Sequence, residues 1–353
     1  MLSSMSSNAV LSKARAMYGR CLSKQDYQNL LSCQNVGEVA AYLKNNTAYS
    51  KALSGANEND IHRSQLETRL KQKLFEDYAS LCRYEISVGE KLSWYLITLS
   101  EIEQILHSIL LLDAGKTEEY LFSMPMYLSQ HTRINLPALS KLESYDDLLN
   151  ALSHTPYYKL LEGLKPEKGA SINYAGIENA LYSYFFQSLS EVINKYMHGE
   201  TAKQLWELFN SYADLVNYVR IIRLKTSYQV TPEFIRRSLL PFGTLNKRIL
   251  NEMIDADNQS QVTELMSKTG IGKRSLKIDH TYVDELPNVV RYMICRHNIH
   301  FSTHPAVVML SYTFIMQTEL IDIITIIEGI RYKMSPDEIK KLLIVFNSRE
   351  RSD

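Results

Sequence analysis

Glycine and proline are scarce: thirteen and nine in 353 residues, where average usage would supply roughly twice as many of each. Strand-rich folds need many Gly/Pro turns, so the shortage points to helices. Cys21, Cys33, Cys82 and Cys295 are scattered without a CxxC pair. That spacing excludes a disulfide framework and a zinc knuckle and fits a reducing compartment. No charge excess exists either, with 39 Lys+Arg against 39 Asp+Glu. A protein living on nucleic acid usually carries a basic surplus, and a lipid-binding tract would be polybasic. No apolar run approaches the ~18 residues of a membrane span; the best, Leu320 to Ile330, is interrupted by Asp322 and Glu328. A transmembrane segment is therefore not expected. Met1 to Arg20, with no acid before Asp26, reads as an amphipathic first helix behind a Ser-rich start.

What is present is repetition. Thr47-Ala-Tyr49-Ser-Lys51-Ala-Leu53 and Thr155-Pro-Tyr157-Tyr-Lys159-Leu-Leu161 both read T-x-Y-x-K-x-L, 108 residues apart, and a weaker copy, Thr269-Gly-Ile271-Gly-Lys273, follows 114 residues later. A second landmark recurs in phase. Long apolar stretches carry Glu101-x-x-Gln104, Asp214-x-x-Asn217 and Glu319-x-x-Asp322. From each acid, 16, 17 and 16 residues lead to a helix-start signal at Thr117, Thr231 and Ser335. Ser335-Pro336-Asp-Glu338 is a capping box with Pro at the first helical position, and Thr231-Pro232 is the same device. Ser23-x-x-Asp26 is a further candidate.

Landmarks at nearly constant offsets predict three copies of one helical unit of about 110 residues, an ordinary domain size. The divisions fall at 1–116, 117–230 and 231–353, the last with a C-terminal helix. Long helices are expected over 60–84, 86–114, 172–198, 201–226, 280–299 and 305–332, as antiparallel pairs. Leu215, Val219 and Ile222, like Ile323, Ile327 and Ile330, have the spacing of one buried stripe. No alternating run predicts a sheet. The fold class is all-α.

Three segments carry a family resemblance. Asp214-Leu-Val-Asn217-Tyr-Val-Arg220-Ile-Ile-Arg223-Leu-Lys225 is one. His304-Pro305, then Glu319-x-x-Asp322 through Glu328-Gly329-Ile-Arg331-Tyr-Lys333-Met-Ser335-Pro336-Asp-Glu338-Ile339, is the second. The opening Ala14-Arg-Ala-Met17, Leu22-Ser23-x-x-Asp26-Tyr27-x-x-Leu30-Leu31 and Thr47-x-Tyr49 is the third. In order and spacing these resemble the C-type subunit of V-type ATPases and ATP synthases, whose eukaryotic equivalent is the d-type subunit. The resemblance implies three similar helical domains arranged as a funnel. It further implies a non-catalytic rotor adaptor without cofactor, present in single copy on the cytoplasmic face of the membrane. Its implied partners are the central-stalk subunits of D and F type and the proteolipid ring. The first unit departs from the pattern, with Gln104, His107 and Leu110 where the second has Asn217, Arg220 and Arg223; the third has Asp322 in place of the Asn.

The candidate functional residues are Asp214, Asn217, Arg220, Arg223, Glu319, Asp322, Arg331 and Lys333. Acids inside apolar helices are costly unless paired, so each either pairs within its unit, with the repeated Lys or Arg, or meets a partner protein. The cations at helix ends either complement the helix dipole or line a mouth that meets acidic partners. Gly270-Ile-Gly272-Lys273-Arg-Ser275 imitates a phosphate loop, but its first Gly is misplaced, Arg precedes Ser and no strand leads in. His297, His300 and His304 are the one metal-like cluster; Pro305 breaks the helix they would share, so no metal is expected. Two other readings are a helical scaffold for partner helices, which ordinarily has repeats of about 20–50 residues, and a metal-dependent helical enzyme built on those histidines.

Overall fold

The computed structural model describes residues 2–58, 60–85, 89–167, 169–226, 230–278 and 282–348. Among them the chain is all helical and contains no β-strand. The helices run α1 (Leu2–Tyr18), α2 (Lys24–Leu31), α3 (Val36–Asn46), α4 (Arg63–Tyr84), α5 (Gly89–Asp113), α6 (Tyr120–Ser123), α7 (Leu136–Leu139), α8 (Tyr145–Ala151), α9 (Tyr157–Glu162) and α10 (Tyr174–Tyr196). They continue with α11 (Gly199–Thr226), α12 (Pro232–Ser238), α13 (Lys247–Asp255), α14 (Gln259–Ser267), α15 (Gly270–Ser275), α16 (Leu286–Phe301), α17 (Pro305–Arg331), α18 (Pro336–Leu342) and α19 (Ile344–Asn347). The six long helices lie where the periodicity places them. The starts expected at 86 and 280 fall outside the described residues.

Two compact units form. One comprises residues 91–196, the other 1–90 together with 197–353. In the first, α5 and α10 meet through an aromatic cluster, with the Phe185 ring edge-on to Trp94 at 6.0 Å and tilted against Tyr95 at 5.2 Å. In the second, α17 is the central helix and packs against α16, α1, α4 and α11. It was expected to bury one stripe. Instead Ala306 to Met316 are buried without interruption, because neighbours surround that half. Further along, Ile323 and Ile327 are buried and Ile330 is half-buried, as a stripe requires. Burying each such side chain contributes roughly 1.5–3 kcal/mol. By length and composition α5 and α17 are apolar enough to cross a membrane, although neither is free of charge. For α17 packing accounts for the hydrophobicity, since 83% of its most apolar window is buried within the fold, against 56% for α5.

The end signals behave largely as written in the sequence. Ser335 accepts a hydrogen bond from Glu338 N while the Glu338 carboxylate takes Ser335 N, a complete capping box. Ser23 and Asp26 form the same box. Thr231 caps α12 ahead of Pro232. Thr117 differs. Its hydroxyl donates to Leu142 O at 2.9 Å, and it is the first residue of a 3₁₀ turn over Thr117–Glu119 whose cap position is Lys116; that turn leads into α6. At the other end of α17, Lys333 has φ +56° and closes the helix in the left-handed region, with Met334 N donating to Gly329 O at 2.9 Å. A Cβ there costs about 1–2 kcal/mol, and glycine is the usual residue at such a stop. Lys333→Gly is therefore expected to raise unfolding free energy by roughly 0.5–1 kcal/mol, because glycine's own entropy cost offsets part of the gain. Urea denaturation of the two proteins measures it.

Candidate functional site

Each of the three long acid-bearing helices uses its carboxylate to hold the loop that starts a short helical segment. Glu101 of α5 is fully buried. Its Oε1 accepts from Arg133 N (2.6 Å) and Thr132 Oγ1 (3.0 Å), and its Oε2 from Tyr157 O–H (2.6 Å). The Arg133 guanidinium lies 2.5 Å from Oε2 and 5.5 Å from the centre of the Tyr157 ring. Asp214 of α11 accepts from Thr244 N (2.9 Å), Thr244 Oγ1 (2.6 Å) and Leu245 N (3.1 Å). Glu319 of α17 accepts from Leu22 N (2.7 Å) and Tyr49 O–H (2.7 Å). Arg133, Thr244, Leu245 and Leu22 all stand one or two residues before an N-cap: Asn135, Asn246 or Ser23.

The residue three positions on does a related task. Asn217 is an amide clamp, its Oδ1 accepting Leu240 N at 2.8 Å and its Nδ2 donating to Leu240 O at 3.0 Å. Asp322 accepts from Ile344 N (2.8 Å) and Val345 N (3.1 Å). Gln104 accepts from Tyr120 O–H at 2.9 Å. The acids expected to pair with repeated cations thus find their partners mainly in backbone N–H and hydroxyl groups; among the described residues Glu101 alone of them is hydrogen-bonded by a cation, Arg133, which stands outside the repeated set. The reason is reach. The repeated cations lie a turn or more away toward the helix end, whereas the loop amides lie directly over the acid. Burial of an unpaired carboxylate would cost several kcal/mol, and two or three such donors offset much of it.

The T-x-Y landmark explains itself here. Thr47, Thr155 and Thr269 each donate to the carbonyl of the preceding helix end, Leu43, Leu152 and Met266, at 2.5, 2.8 and 2.7 Å. Each also accepts an N–H of the next turn, from Tyr49, Tyr157 and Gly272, at 3.2, 3.3 and 3.0 Å. Tyr49 and Tyr157 then reach a glutamate. Where the third copy has Ile271, with no hydroxyl to offer, the acid is the shorter Asp214. Sequence reasoning registered both landmarks, and their recurrence in phase was the available signal, but it did not join them; it missed Thr132 and Arg133 altogether and gave Leu22, part of the opening motif, no role.

Glycine serves the same plan at two points. Gly243 has φ +115°, and a Cβ there would lie 2.0 Å from Asp214 Oδ1, so the Asp214 cradle requires it. A Cβ on Gly272 would lie 1.8 Å from Met266 O. That is why a segment imitating a phosphate loop carries its glycine: Gly270–Ser275 is the short helix α15, packed tightly on the end of α14.

Electrostatically the acids fall into distinct cases. Burial pushes Glu319 and Asp322 up to about 7, against the opposing effect of their hydrogen-bond donors. Burial also raises Asp214, with Thr244 and Leu245 opposing it. Burial and the neighbouring Glu101 push the Tyr157 hydroxyl well above its ordinary value.

The helix-end cations have modest internal roles. Arg220 donates to Ser238 O at 2.7 Å and Lys225 to Ile254 O at 2.5 Å, each capping a carbonyl of the following segment. Arg223 lies 3.8 Å from Asp284, both more than half exposed, a pair worth little in water. Arg331 pairs with Glu328 at 2.9 Å. Lys333 is exposed at the turn after α17. The histidines have separate surroundings. His297 lies against Phe301, His300 edge-on to Tyr18, and His304 Nδ1 is 2.9 Å from Thr201 Oγ1. Among the described residues no three metal-ligating side chains converge.

This all-helical chain with its acid-to-loop joints belongs to the ATP synthase (C/AC39) subunit family, whose family model matches residues 10–342. Similar proteins include the C subunit of the A-type ATP synthase of Methanosphaera stadtmanae, 22% identical over 270 residues, which are 76% of this chain and 66% of that one. The corresponding A-type ATP synthase C subunit of Methanosarcina mazei is 25% identical over 238 residues, 66% of this chain and 62% of its own length. That of Pyrococcus furiosus is 25% identical over 215 residues, 58% and 56%. The chain thus spans less than two thirds of the length of each of these relatives.

Asn217→Ala is expected to cost roughly 2–4 kcal/mol, since it strands both the N–H and the carbonyl of Leu240 in a buried site. Tyr49→Phe should cost less, about 1–2 kcal/mol, because Glu319 retains Leu22 N. Chemical denaturation of the two variants, read side by side, tests the ranking.

Proposed function

We propose that this protein is the non-catalytic rotor adaptor of a V/A-type ATP synthase or ATPase. In this reading it sits in single copy between the central stalk, of D and F type subunits, and the membrane proteolipid ring, peripheral on the cytoplasmic face. ATP turnover and ion translocation are then coupled through it. The observation that carries the reading is family membership over 10–342. The three carboxylate joints support it, because torque needs stiffness and each joint pins a short segment to a long helix at buried, multiply bonded points. We further propose three repeated units in a funnel, with exposed cations such as Arg223 and Lys333 at the partner-facing ends of long helices.

In this role the protein performs no chemistry of its own. The stalk foot would enter among the helix ends, and the ring would meet the opposite surface. Both contacts join parts that are already folded, for which polar, exchangeable surfaces are the usual design.

Affinity purification of the tagged chain from gently solubilised native membranes is expected to recover the ATPase head, stalk and proteolipid subunits. Deleting the gene should leave ATP hydrolysis by the head but abolish ATP-driven ion uptake into vesicles. Recovery of the protein alone, or ion uptake unaffected by the deletion, refutes the adaptor role.

A further inference from the structure

Where α1 ends and α2 begins, against α16 and α17, lies a cavity of about 200 Å³. Three tyrosine side chains line it, Tyr18, Tyr27 and Tyr292, together with the Glu319 carboxylate. The rest of its wall is Leu22, Ile315 and the Cys21 thiol. All of these belong to the compact unit of residues 1–90 and 197–353. Among the described residues no cationic side chain stands in the wall. Lys73, which acts on Glu319, is paired with Asp77 at 2.6 Å. Exposed Arg296 lies 5.8 Å from the centre of the Tyr292 ring without lining the cavity.

Two of the rings are steadied by neighbours. His300 meets Tyr18 edge-on at 5.3 Å, and Phe346 meets Tyr27 edge-on at 6.0 Å. Tyr27 is only 3% exposed, and among the described residues its hydroxyl has no hydrogen-bond partner.

We propose that this cavity is a binding site for a small alkylammonium ion bearing a hydroxyl group, its charge set among the three rings beside Glu319 and its hydroxyl toward Tyr27. The site belongs to the isolated chain and is independent of the adaptor role.

Size, charge and wall chemistry agree on this class of ligand. An apolar cavity of about 150 Å³ takes benzene, so this larger one has room for a compact organic molecule. A cation among aromatic rings is attracted by their quadrupoles, most strongly where water is excluded. An anion would meet Glu319 with no lining cation to offset the repulsion. Glu319 supplies charge more than a free acceptor: Leu22 N donates to its Oε2 and Tyr49 O–H to its Oε1, both at 2.7 Å. Those donors hold the carboxylate in place and favour its ionised form. A fully methylated head has no N–H to place and needs only that field. The Tyr27 hydroxyl, costly to leave unpartnered in a buried wall, selects a ligand that carries a hydroxyl of its own.

Choline titrated into the full-length protein at about pH 8 tests the site, above the value of about 7 to which burial raises Glu319. Calorimetry is expected to show saturable one-to-one binding, at least tenfold tighter than that of the uncharged isostere with carbon in place of nitrogen. Tyr292→Leu, which removes a half-buried ring, should weaken choline binding about tenfold. The isostere comparison uses the wild-type protein alone, so it decides even where Tyr292→Leu does not fold. No saturable binding of choline, equal affinity for the isostere, or a folded Tyr292→Leu that binds choline like the wild type each overturns the proposal. Co-sedimentation with phosphatidylcholine vesicles in the absence of free choline binding overturns it too, by making the ligand a lipid headgroup.

Discussion

A carboxylate buried in a helix and aimed at free amides just ahead of a helix cap is the interaction on which this molecule depends. Long helices supply bulk and stiffness, but the helices of α2–α3, α7–α9 and α13–α15 are each eleven residues or fewer. They would be marginal alone, since helices under about 12 residues rarely hold in water without tertiary support. Glu101, Asp214 and Glu319 satisfy amides that the caps leave over, and in doing so fix where each short segment starts. The apolar residues then have a defined seat: Leu30, Leu43 and Leu53 for the first, Leu148 and Leu161 for the second, Val262 and Met266 for the third.

The placement of donors also separates this design from an ion-pair network. Backbone N–H groups are fixed in direction and carry no flexible stem, so little entropy is lost in engaging them, unlike a lysine or arginine side chain. Where a cation does take part, at Arg133, it lies over the Tyr157 ring and donates from both its Nε and a terminal nitrogen to Glu101 Oε2. Such a joint is directional, which suits a part expected to transmit force.

Much of the fold was legible in the sequence. Sparse Gly and Pro, threefold-recurring landmarks and caps such as Ser335-Pro336-x-Glu338 led to helices with nearly the right bounds. Two things were not legible. The first was the partner of each acid. Charge pattern suggests cations, whereas backbone amides have no sequence signature, so Leu22 N and Ile344 N were invisible. The second was environment. The spacing of Ile323 and Ile327 implies a stripe, but the full encirclement of Ala306 to Met316 depends on α1 and α4, which lie more than 200 residues earlier in the chain. The family motifs spanned these acids without disclosing what they touch.

That α17 is embraced by residues 10–53 has a consequence for how the protein comes into being. A ribosome releases chains from the N-terminus, and most domains fold as they emerge. Here the Tyr49 hydroxyl waits for Glu319, 270 residues later, before it has its carboxylate partner. Residues 91–196, by contrast, contain all the partners of their own joint and can fold while synthesis continues. The joint at Glu319 therefore closes only after α17 has been made, whereas the joint at Glu101 can close as soon as Tyr157 has emerged, so the two units gain their fixed points at different moments of synthesis.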